Sequence, residues 1–165
     1  MIELPEFVLA RERDRRLNSD PQSGVDSFSH LKKLFAPLQV RFGRLVMDAP
    51  APRNGKGRIL IGQADVAGVR RDDELGLNAD FVISEKLGRP LEIVSYSFQL
   101  LAPENCQISP FRIRYDYTAD LPANPNEHPQ CHLTVDNQEM RMPCAFMTPA
   151  ELVHVFLNTP AWWHR

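Results

Sequence analysis

The stretch Phe111-Arg112-Ile113-Arg114-Tyr115-Asp116-Tyr117-Thr118 decides the fold. Apolar and aromatic residues at 111, 113, 115 and 117 alternate with polar ones at 112, 114, 116 and 118. Successive side chains of a strand point to opposite faces, so a period of two predicts a strand with one covered face and one wet face. Residues 93–100 have the same texture, with Val94, Tyr96, Phe98 and Leu100 on one side and Ser95, Ser97 and Gln99 on the other. Outward from this pair, residues 40–47, 58–66, 79–86, 91–102, 111–119, 131–135 and 140–142 read as strands. Residues 67–78 read as a polar connecting loop, and Asn54-Gly55-Lys56-Gly57 as a hairpin turn.

Helical signals lie at the two ends. Residues 4–17 carry Pro5 and Glu6 in a first turn, followed by the basic run Arg11, Arg13, Arg15 and Arg16. Asp26 or Ser27 caps a second helix with Phe28, Leu31, Leu34 and Phe35 at helical spacing, and Pro37 is expected to end it. Thr148-Pro149-Ala150-Glu151 joins a capping box to proline at the first helical position. Leu152, Val153, Phe156 and Leu157 then make an apolar face, and Pro160 stops the helix. The expected fold is α+β: N-terminal helices, an antiparallel meander of five to seven strands, and a C-terminal helix packed on the sheet. Residues 1–165 are read as one domain, with a helical arm at 1–39 and the sheet and last helix at 40–165.

Composition agrees. The chain has 14 prolines in 165 residues, about 8.5% against a usual level of about 5%, which argues against a helical bundle. Nineteen basic and 21 acidic residues exclude a protein that coats nucleic acid by bulk charge, but not one with a local basic patch. No apolar run approaches the roughly 18 residues of a membrane span. The N-terminus, Met1-Ile2-Glu3-Leu4-Pro5-Glu6, has no secretion-signal character, and Cys106, Cys131 and Cys144 are an odd number. The expected setting is the cytoplasm, with reduced thiols.

Chemistry concentrates between Arg112 and His132. Arg114 and Asp116 share a strand face, and His132 lies on the face opposite Cys131 and Leu133. If these strands pair through the intervening loop, which also carries His128, His132 comes beside Arg114 or Asp116. A carboxylate orients an imidazole, and an arginine stabilises negative charge on a phosphate or oxyanion. Such a set suits metal-independent phosphodiester cleavage, with His128 or His132 as base or acid. The competing reading is a structural Arg–Asp pair beside a half-buried histidine. His128, Cys131 and His132 also raise structural zinc, but only the H-x3-H spacing fits and there is no second tight pair, so no cofactor is expected.

The succession YSFQL, FRIRYDY, HPQCHLTV, RMP and TPAELVHVFL resembles small uncharacterised bacterial proteins that include the TumE-type toxins of toxin–antitoxin pairs. The resemblance covers residues 92–158 and falls on Tyr96, Arg114, Tyr115, Asp116, His128 and His132. It implies a toxin-like or defence-associated role, with Tyr115 joining the site. Gln130 and Cys131 stand where the resemblance would place further histidines. Three functions are therefore expected to compete. One is an RNA-directed effector acting through His128, His132, Arg114 and Asp116. Another is a non-enzymatic subunit of a protein complex bound through the N-terminal arm and Trp162-Trp163; the expected partner is an antitoxin or a complex subunit, and the Arg11–Arg16 run and the two tryptophans are expected to bind RNA or that partner. The third is a small zinc-binding domain.

Overall fold

Five long strands form the centre of the molecule: β2 (Lys56–Ile61), β4 (Gly76–Ser84), β5 (Glu92–Leu101), β6 (Arg112–Thr118) and β7 (Cys131–Val135). Three two-residue pieces extend them: β1 (Met47–Asp48), β3 (Val69–Arg70) and β8 (Met142–Pro143). All pair antiparallel in the order β1-β2-β4-β5-β6-β7-β8, with β3 pairing separately with β4. Helices α1 (Phe28–Phe42) and α2 (Pro149–Asn158) complete the α+β fold. The computed structural model describes residues 27–42, 47–48, 55–62, 67–86, 89, 91–107, 111–119, 129–136 and 141–163. The expected helix at 4–17 lies outside the described residues.

The period of two separates the sheet into two chemically different faces. In one register row Ile59, Phe81, Tyr96, Tyr117 and Cys131 stand side by side across β2, β4, β5, β6 and β7. The rings of this row touch in series, with centroids 5.7 Å apart for Phe81–Tyr96 and 5.6 Å for Tyr96–Tyr117. The adjacent row, Leu60, Asp80, Ser97, Asp116, His132 and Pro143, lies on the opposite face. Both helices contribute to the core on the aromatic face. Leu31, Phe35 and Leu38 of α1, and Leu152, Val153 and Phe156 of α2, are buried in one cluster with Ile59, Phe81, Phe98 and Leu100. Burying apolar area of this kind stabilises by about 25 cal/mol per Å², which is why the helices cover this face and leave the polar one open.

Several expectations need correction. Helix α1 does not end at Pro37 but continues to Phe42, so residues 40–42 are helical rather than the start of a strand. Proline removes one N–H and crowds the carbonyl four residues back. Here Pro37 and Lys33 are both exposed, so the disrupted turn faces water and the freed carbonyl can be solvated. Residues 76–78, expected as loop, open the central strand β4, where Gly76, Leu77 and Asn78 are all buried. Their polar neighbours Arg71, Asp72 and Asp73 disguised the change. Of the strand expected at 58–66, the sheet pairing runs to Ile61 and bends at Gly62, and residues 63–66 lie outside the described residues. This glycine has φ +72°, and an added Cβ would overlap Asn78 Oδ1 and the Gly68 backbone, so the chain turns where only glycine fits. In β5, Ile93 rather than Val94 takes the buried position, because the register shifts between Val82 and Ile83 and leaves Val94 as an extra residue.

The last helix forms as its signature requires. Thr148 Oγ1 accepts from Glu151 N–H at 3.3 Å, and the Thr148 N–H donates to Glu151 Oε2 at 2.9 Å. Thr148→Ala removes the buried cap and is expected to lower stability by about 1 kcal/mol. Urea unfolding followed by circular dichroism checks this, and an unchanged midpoint would show that packing alone holds α2. Arg71 ties the same helix to the sheet, donating through Nη1 to the Phe156 carbonyl at 2.5 Å while pairing with Asp73. The Arg71 guanidinium hydrogen-bonded to Asp73 holds that carboxyl below its usual range.

Candidate functional site: a polar cleft on the open sheet face

The polar row builds the site. Asp116 and His132 are direct cross-strand partners, and Arg114 lies two residues from Asp116 on the same face of β6. Arg114 Nε donates to Asp116 Oδ2 at 2.6 Å, and His132 Nε2 lies 3.3 Å from the same oxygen. On its other side His132 Nδ1 lies 3.1 Å from the Pro129 carbonyl. The imidazole is buried, with its side chain only 5% exposed, and the Asp116 side chain is 16% exposed. Both ring nitrogens therefore face acceptors. With Nδ1 donating to the carbonyl, the contact to Asp116 is a hydrogen bond only for the doubly protonated ring, which would set two cations against one carboxylate oxygen.

An open cavity of about 330 Å³ lies over these groups. Asp80, Ser95, Ser97, Arg114, Asp116, Thr118, His132 and Arg141 contribute polar side chains to its lining, with Tyr96 and Tyr117. Asp80 is already held by Arg58, which donates through Nε at 2.8 Å and through Nη2 at 2.6 Å. Arg114 donates only through Nε, and Arg141 makes no hydrogen bond or ion pair among the described residues. The lining thus carries two guanidinium groups (Arg114, Arg141) and two carboxylates (Asp80, Asp116), and Arg58, outside the lining, pairs with Asp80. Beside Arg114, its cross-strand neighbours Gln99 and Thr134 hold the buried atoms Oε1 and Oγ1, which have no hydrogen-bond partner among the described residues. The arrangement can bind an anion through two uncommitted guanidinium ends above a carboxylate–imidazole pair.

The expected residues divide as follows. Arg114, Asp116 and His132 come together as expected. His128 and the run Arg11, Arg13, Arg15 and Arg16 lie outside the described residues. Tyr115 does not join the cleft, because alternation puts it on the other face of β6, where it packs against the core. Burial and the nearby Cys144 push its phenol up from the ordinary value. Trp162 and Trp163 fold back, with Trp163 buried in the core and Trp162 packed against it. No group of three or more His, Cys, Asp or Glu side chains that could hold a metal ion occurs among the described residues. No helix among them is long and apolar enough to cross a membrane.

Sequence reasoning missed Asp80 and Arg141. Asp80 had a signal, a polar residue alternating with Ala79 and Phe81 in an apolar strand, but its role needed the pairing with Ser97. Arg141 had none, because only the docking of β8 on β7 brings it to the cleft.

Residues 94–159 match an uncharacterized conserved protein family (DUF2290), a stretch covering less than half of the chain. The matched stretch runs from β5 through α2 and contains Arg114, Asp116, His132 and Arg141. No curated protein and no solved structure gives a significant match.

Proposed function

We propose that the cleft binds RNA through its phosphates and cleaves it without a metal, as a toxin-like or defence-associated effector. The observation that carries this reading is the pair of uncommitted guanidinium ends, Arg114 and Arg141, lining one cavity with the Asp116–His132 pair. The toxin-like role rests on the resemblance of residues 92–158.

In this reading the 2′-hydroxyl oxygen attacks phosphorus while the bond to the 5′-oxygen breaks. Asp116 takes the hydroxyl proton at Oδ1, which accepts no hydrogen bond among the described residues, and the 5′-oxygen leaves with a proton from solvent. Arg114 and Arg141 neutralise the charge that gathers on the phosphate oxygens. His132, buried between the Pro129 carbonyl and Asp116, is a positioning residue that packs against Asp116 rather than the base or acid itself.

The test is incubation of the purified chain with end-labelled single-stranded RNA in the presence of a chelator. Cleavage should leave 2′,3′-cyclic phosphate ends. Arg141→Ala, a change at an exposed side chain, should slow it by about 10²-fold, the usual effect of removing one charge-stabilising donor. Intact RNA at stoichiometric protein would overturn the cleavage. One observation favours a second reading, an anion-binding subunit without chemistry: the His132 side chain is only 5% exposed, which keeps the imidazole away from a ligand in the open cleft. RNA bound but left intact, with binding weakened by Arg141→Ala, would select it.

A further inference from the structure

The aromatic row of the sheet ends in two thiols. Tyr117 is paired with Cys131, and the β7–β8 register, with His132 opposite Pro143, continues to set Cys131 opposite Cys144. The Cys144 N–H donates to the Cys131 carbonyl at 3.1 Å, so the two residues occupy a hydrogen-bonded antiparallel position. Directly opposed residues project to the same face of a sheet. Such a position holds Cα atoms about 5.5 Å apart, inside the roughly 4.4–6.8 Å range that a disulfide spans. Both cysteines are half-buried, so a small oxidant can reach them, while Cys106 sits apart in the turn after β5, where its N–H donates to the Pro103 carbonyl.

We propose that Cys131 and Cys144 are a thiol modification site, joined by a reversible cross-strand disulfide that clips β8 to β7. The step needs a disulfide oxidant such as oxidised glutathione. A Cys144 thiolate attacks one glutathione sulfur and releases the first glutathione thiolate. The Cys131 thiolate then attacks the mixed disulfide at the Cys144 sulfur and releases the second. Two protein thiols are oxidised and one glutathione disulfide is reduced to two thiols, whose protons are the two that Cys131 and Cys144 lose, so none is released overall.

The clip would matter because β8 is otherwise weakly held. It is two exposed residues long, and Pro143 has no N–H to add to the ladder. Arg141 immediately precedes it and lines the cleft, so the disulfide would tether the segment that carries this guanidinium. This inference does not depend on RNA being the ligand.

The experiment incubates the full chain with oxidised glutathione, then combines thiol titration with peptide mass mapping. The free thiols should fall from three to one, with Cys106 remaining, and the peptides containing Cys131 and Cys144 should become joined. Dithiothreitol should separate them again, and Cys144→Ser should give no joined peptide. Glutathione left as separate adducts on Cys131 and Cys144, or a link through Cys106, would overturn the proposal.

Discussion

Phe81→Ala is expected to lower the stability of the fold by about 3–5 kcal/mol, the usual cost of truncating a buried phenylalanine. The side chain is fully buried at the centre of the sheet, on the face both helices cover. Its ring lies 5.5 Å from that of Phe35 in α1 and 5.7 Å from that of Tyr96 in β5. Removing it therefore takes away the contact between helix and sheet and the middle of the aromatic row together. Close-packed backbone on both sides limits how far the void can collapse. A domain of this size has only about 5–15 kcal/mol to lose, so urea titration should show a large drop in midpoint, and part of the protein should be unfolded at physiological temperature. A loss under about 1 kcal/mol, well below the usual range, would mean that α1 is not held through this ring.

Asp116→Ala should have the second-largest effect, for an electrostatic rather than a packing reason. Asp116 Oδ2 receives Arg114 Nε and faces His132 Nε2, and the His132 side chain is almost wholly buried. Without the carboxylate the imidazole loses the partner of its Nε2 while Nδ1 stays against the Pro129 carbonyl, and the Arg114 Nε–H loses its acceptor. Stranding buried polar or charged partners costs on the order of 2–3 kcal/mol at a site that is partly open to water. Asp116→Asn keeps an oxygen that can accept from the Arg114 Nε–H and should recover part of that loss in urea titration. It should not recover RNA cleavage, because the amide cannot take a hydroxyl proton. If the asparagine variant cleaves RNA like the parent, Asp116 is structural and the proposed proton transfer is wrong. If the alanine variant is as stable as the parent, the pairing contributes nothing to the fold.

Much of the α+β architecture was legible because it rests on local periodicity. The alternation in 111–118 and 95–100 predicts β6 and most of β5 with the correct faces, since strand geometry leaves no other side for Tyr117 or Asp116, and fails only at Val94, where the register shifts. The capping box at Thr148 predicts the start of α2. The failures are instructive in the same terms. Pro37 argued for a helix end, but tertiary burial of Phe35 and Leu38 holds the helix through a turn that faces solvent. Residues 76–78 argued for a loop because their polar neighbours dominate a short window, whereas pairing with β3 and β5 makes them the start of a central strand.

The candidate site was half legible for a related reason. Arg114 and Asp116 share a face by alternation alone, and the placement of His132 opposite Cys131 and Leu133 is equally local. That Asp116 meets His132, rather than a residue two positions away, depends on the β6–β7 register set across the intervening loop. Asp80 and Arg141 come from β4 and from the residue before β8, far apart in sequence, and only the order of the strands brings them to one cavity. The pairing of Cys131 with Cys144 is of the same kind. By itself the sequence determined which residues face the core and which face water, because that follows from the repeat of the backbone. Only the tertiary structure decided which of the water-facing residues meet, because register and strand order are set by long-range pairing.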